Sequence, residues 1–256
     1  MLFVLSSNLA YSHDFWLEAH PFYTSPAKTV DISVHVGNQF NGDSLPNINS
    51  WYTDFSVYQP ASKTLIEGEM GRDPAGFFTP RKKGTYAIGY QSDFTNIEID
   101  PDTFLKYLSD EGLDHAIEYR KQNLLTRLPG RENYIRHCKT LVQSGDKFDI
   151  DNSMLSFGYE LEIIPLSNPY KKQLNDSLSV KVMYQNQPIE NLLLIALPKT
   201  ESAKSQAIRT DRNGVATIRL DQTGPWLLKV VHIIKIKDDK ADWQSHWASL
   251  TFALPD

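Results

Sequence analysis

The 256-residue chain carries 26 Lys and Arg against 31 Asp and Glu, a formal charge of −5 that excludes the basic footprint of a nucleic-acid binder. Its 41% hydrophobic content suits one large domain or two ordinary ones, and a single cysteine, Cys138, excludes an internal disulfide. No stretch reaches the ~20 apolar residues of a membrane-spanning helix, while twelve Tyr, twelve Phe and five Trp favour sheets.

Residues 1–12 read as the end of a secretory signal. A short apolar run from Leu2 to Leu9 precedes small residues at Ala10 and Ser12, the pattern of a cleavage site. The basic start of such a leader is missing, so the true start is expected further upstream. The alternative makes residues 1–12 a buried first strand of a cytosolic protein. Cleavage after Ser12 makes His13 the mature N-terminus. Its α-amine and ring Nδ1 can then chelate one metal ion, half of a histidine brace. The competing reading makes His13 simply the place where cleavage falls, with no ligand role.

Residues 29–36 alternate, with Val30, Ile32, Val34 and Val36 on one side and Asp31, Ser33 and His35 on the other. This predicts a half-buried strand with His35 facing solvent. Gly37-Asn38 and Asn41-Gly42-Asp43 predict turns. Residues 51–58 and 76–90 supply further short strands of a sandwich. From Asp100 the texture changes. Phe104, Leu105, Leu108, Leu113 and Ile117 recur at helical intervals, with Asp100 or Asp102 as cap and an interruption at Gly112. A second helix is expected over residues 131–142, with Tyr134, Ile135, Cys138, Leu141 and Val142 on one face. His115 and His137 then fall on the surface, and Cys138 is buried and unsuited to nucleophilic work. Residues 101–145 thus read as a helical insertion.

Strands resume at residues 157–164 and stop at Pro165. Residues 177–184, 192–197, 215–220, 226–237 and 242–254 follow, separated by turns such as Asp211-Arg212-Asn213-Gly214. The fold class is mainly β: two β-sandwich domains, immunoglobulin-like or transthyretin-like, over residues 13–165 and 174–256. The last two strands form a hairpin. A turn centred on Asp239 sets His232 directly opposite His246, with Cβ atoms ~4.5–5.5 Å apart. A one-residue slip would separate them onto opposite faces, and a histidine on an apolar face is as readily a core residue as a ligand. The candidate metal ligands are His13, His232 and His246.

Several blocks together resemble a bacterial family of exported proteins of unassigned function, the domain-of-unknown-function 4198 family. They are His13-Asp14-Phe15-Trp16-Leu17, Phe104-Leu105-Lys106-Tyr107-Leu108, Arg131-Glu132-Asn133-Tyr134, Leu161-Glu162-Ile163-Ile164-Pro165, Gly224-Pro225-Trp226-Leu227-Leu228 and Trp247-Ala248-Ser249-Leu250. His20 stands where relatives carry proline, and His246 where they carry an aromatic residue. The family is often labelled as periplasmic nickel- or cobalt-uptake components. That resemblance implies metal handling outside the cytoplasm. The leading expectation is a periplasmic, non-enzymatic protein that binds a divalent transition ion (nickel, cobalt or copper) through nitrogen ligands and assists its uptake or delivery, with an envelope transporter component as partner. Two rivals stand beside it: a copper oxidoreductase built on a histidine brace, and a metal-free cell-envelope interaction module. No G-x-S-x-G, H-E-x-x-H, Walker A or C-x-x-C pattern occurs.

Overall fold

The computed structural model describes residues 14–200 and 204–255. The chain opens with β1 (Asp14–His20), β2 (Tyr23–Thr24), β3 (Val30–Asn38) and β4 (Asn41–Leu45). The core side of β3 follows the expected alternation at Val30, Ile32 and Val34, which are buried, but Ser33, expected to face solvent, is buried as well and Val36 is only half-buried. Next come β5 (Tyr52–Gln59), β6 (Ser62–Leu65), β7 (Gly76–Phe78), β8 (Gly84–Ser92) and β9 (Thr95–Ile99). Helix α1 (Pro101–Asp110) is capped by Asp100, whose carboxylate accepts the Thr103 N–H at 3.0 Å. Gly112, at φ +65°, takes the left-handed turn between α1 and α2 (Asp114–Gln122).

The segment expected as a second long helix, residues 131–142, is instead part of a 15-residue strand, β10 (Gly130–Ser144). Residues 101–145 are therefore helical only as far as Gln122. The apolar residues of β10 happen to fall at helical spacing because its alternation is hidden: Glu132, His137, Lys139, Thr140, Gln143 and Ser144 are all buried. A strand enclosed on both faces shows no polar side, and period-2 reading fails. His137, expected at the surface, is 1% exposed. Cys138 is buried as expected, but on this strand.

The chain continues through β11 (Ile150–Asp151), β12 (Leu161–Pro165), β13 (Ser177–Tyr184), β14 (Gln187–Pro188), β15 (Leu193–Pro198), β16 (Gln206–Arg209), β17 (Val215–Arg219), β18 (Gly224–Lys235) and β19 (Trp243–Leu254). A central sheet runs β16-β15-β18-β19-β10-β8-β5-β6, so β10 lies parallel to β19 and antiparallel to β8. It thus draws strands from both of the sequence ranges assigned to separate sandwiches. One face packs on the sheet of β12, β13, β14 and β17, through Leu161, Val180, Ile218, Trp226, Leu250 and Phe252. The other face packs on two things. At one end lies the sheet of β1, β3, β4 and β7, through Leu17, Ile32, Phe55, Ile88, Cys138 and Val142. At the other lie the helices, through Phe104, Leu108, Ala116, Val231, Ile233 and Trp243. A small cluster of Trp16, Phe40, Leu197 and Leu227 ties β1 to the C-terminal strands. The architecture is mainly β and sandwich-like, as expected.

Candidate metal centre

In β1, Phe15, Leu17 and Ala19 point into the core, so Asp14, Trp16, Glu18 and His20 share the other face. Antiparallel pairing with β3 sets Trp16 opposite His35 and Glu18 opposite Ser33. The ligand atoms of Glu18, His20 and His35 all lie within 4.8 Å of one another. Donor atoms around one ion with bonds of about 2.0–2.1 Å sit within roughly 4 Å of each other, so a small rotamer adjustment closes the set. Two imidazoles and one carboxylate suit a divalent first-row ion.

The surroundings hold Glu18 and His35 in their ligating forms. His35, expected to face solvent, has a side chain only 14% exposed. Its ring stacks on the Trp16 indole at 5.2 Å and 7°. Neither His35 ring nitrogen has a hydrogen-bond partner among the described residues, and Nε2 lies 3.9 Å from the Glu18 carboxylate. Burial pushes the His35 imidazole below its ordinary range, so it is neutral with a free lone pair. Burial works to raise the Glu18 carboxyl, but the Lys199 ammonium and the Trp16 indole N–H outweigh it and bring the group below its usual range. The Trp16 N–H donates to Glu18 Oε2 at 3.2 Å, and Lys199 Nζ donates to both Glu18 oxygens at 2.6 and 2.7 Å. His20, at the exposed end of β1, leaves the site open to solvent.

The structure describes two of the three histidines expected to act together. His13 lies outside the described residues. His232 and His246 are directly opposed across β18 and β19, in the register anticipated from the turn. However, the Tyr184 ring stands against both, 4.4 Å from His232 and 5.2 Å from His246. Gln244 Nε2 donates to His246 Nε2 at 2.9 Å, which puts the His246 proton on Nδ1, 3.4 Å from His137 Nε2. His232 neighbours His115, whose Nε2 bonds the Ile233 carbonyl. Desolvation holds His137 down to about 3 and His232 and His246 down to about 4, with neighbouring histidines adding to the effect. Asp14 pairs with Lys229 at 2.6 Å, and Lys229 leaves β18 on the face opposite to His232.

None of Glu18, His20, His35 and Lys199 is among the ligands that the sequence suggests, and His35 reads there as a surface histidine. The period-2 spacing of Glu18 and His20, opposite a histidine-bearing strand, was the one available signal. Nothing near Lys199 in sequence points to a carboxylate 181 positions away.

Among curated proteins, none matches the chain. Two solved structures align along most of its length. The D0-D1 domain of Intimin is 11% identical, with 94% of this chain and 97% of that chain covered and a TM-score of 0.24. The Yersinia pseudotuberculosis adhesin InvE is 12% identical, with 94% and 58% covered and a TM-score of 0.22. Likenesses at these TM-scores carry no argument about fold or activity. The model of the domain of unknown function DUF4198 matches residues 10–234, and the chain belongs to that family.

Proposed function

We propose that the protein binds a divalent transition ion (nickel, cobalt or copper) outside the cytoplasm and assists its uptake or delivery, without catalysing a reaction. The observation that carries this is the half-buried imidazole of His35, whose two enclosed nitrogens have no hydrogen-bond partner among the described residues and lie beside Glu18 and His20. A buried polar group without a partner costs free energy, and a cation shared with two further ligands supplies that partner. The leader-like residues before His13 support export to the periplasm. An open site with one exposed ligand suits an ion that must be taken up and passed to a transporter component.

Titration of the purified protein with Ni²⁺, Co²⁺ and Cu²⁺, followed by metal analysis after dialysis, tests this. One ion per chain is expected, with H35A and E18Q each weakening binding by tenfold or more, on the order of one lost ligand. Wild-type retention of no ion would leave an interaction module as the better account. Peroxide production by the copper-loaded protein would point to an oxidoreductase.

A further inference from the structure

The carboxylate of Glu18, one of the three candidate ligands, already holds a positive charge. Lys199 Nζ contacts both carboxylate oxygens of Glu18 and lies 5.1 Å from the centre of the Phe40 ring. Phe40 in turn meets Trp16 edge-on at 5.5 Å, and Trp16 stacks on His35. Lys199 directly follows β15, and its backbone N–H is fixed to the Pro225 carbonyl at 2.8 Å. The ammonium therefore comes from the C-terminal strands to a ligand on β1.

We propose that Lys199 is a built-in competitor for the cation site of Glu18, His20 and His35, and that an arriving ion expels its ammonium from Glu18. This rests on the metal-binding reading above and specifies how that site is regulated. Two positive charges cannot share the Glu18 oxygens at bonding distance without strong repulsion. The lysine is the one that can leave: its stem is flexible, its side chain is 40% exposed, and Glu18 is 4% exposed. Beside it opens a cleft of about 860 Å³, lined by Asn38, Asn41, Pro198 and Lys204 among others, which receives the displaced chain. The lysine neutralises the buried Glu18 while no ion is bound, so the empty site escapes the cost of an unpaired buried carboxylate. It also lowers affinity enough for the ion to be released. Occupancy is thereby coupled to the chain that follows β15.

The test uses Ni²⁺ as probe and the full chain. K199M keeps the length of the side chain and removes the charge. It should bind Ni²⁺ about tenfold more tightly than wild type, between the values for exposed and for close buried ion pairs. In an E18Q background K199M should add nothing. A second measurement needs no variant. Acylation of Lys199 by an N-hydroxysuccinimide ester, followed by peptide mass analysis, should rise severalfold when Ni²⁺ is saturating, relative to the other lysines. Unchanged or weaker binding by K199M, or unchanged Lys199 acylation, overturns the competitor role while E18Q and H35A still weaken binding by tenfold or more. If E18Q and H35A bind Ni²⁺ as wild type does, the metal site itself falls, and the competitor with it.

Discussion

Glu132 offers the most direct probe of the buried polar layer that hides β10 in the sequence. Its side chain is fully enclosed between β10, β19 and α1. One oxygen accepts hydrogen bonds from the Ser245 hydroxyl and, at 3.4 Å, from the Tyr107 hydroxyl, while Oε2 has no partner among the described residues. Burial pushes the carboxyl from 4.5 up to about 7, against the opposing pull of the Ser245, Tyr107 and Trp247 donors. A raised folded value means that the folded state holds the proton more tightly. The stabilisation is complete below the unfolded value near 4.5 and is lost as the pH rises through about 7. With these values the retained stabilisation is about 2 kcal/mol at about pH 5.5 and close to zero at about pH 8. Glutamine has the same shape and does not titrate. E132Q should therefore gain on wild type by about 2 kcal/mol between those two pH values, read from urea unfolding midpoints with m-values unchanged. Parallel pH profiles for the two proteins would refute the argument, because Glu132 would then titrate alike in the folded and unfolded chains.

The buried histidines act in the opposite sense. With folded values near 3 for His137 and near 4 for His246, their stability is present above the unfolded value of 6.5 and drains as the pH falls toward those values, so H137N/H246N should lose about 1–3 kcal/mol less than wild type between about pH 7.5 and about pH 5.5; urea unfolding at both pH values checks it. The Lys139–Glu162 pair is 2.5 Å apart with both side chains 4% exposed or less, so E162Q, which strands a buried ammonium, should cost about 3–5 kcal/mol. K139M/E162L should cost less than E162Q alone, as measured by thermal or urea unfolding. A Cβ on Gly130 would fall 2.4 Å from the Phe104 ring, which is itself fully buried, so G130A should destabilise the chain by about 1–3 kcal/mol. A G130A protein with the wild-type urea midpoint would contradict that packing.

Local chemistry alone determined much of this protein. The Asp100 cap of α1, the bounds of β13 and the alternating core face of β3 all follow from neighbouring residues. The register of β18 and β19 does too: a polar turn around Asp239 between two alternating strands leaves His232 facing His246. Only the tertiary structure decided β10, because its polar residues meet partners far along the chain, as Lys139 meets Glu162 and His137 meets His246. With both faces covered, neither hydrophobicity nor period distinguishes such a strand from a helix. The candidate metal centre was hidden for the same reason. The sequence spaces Glu18 and His20 on one face, but pairing of β1 with β3 supplies His35, and the end of β15 supplies Lys199. Long-range pairing is set by how three sheets bury their apolar faces together, and no local pattern encodes which strand ends meet.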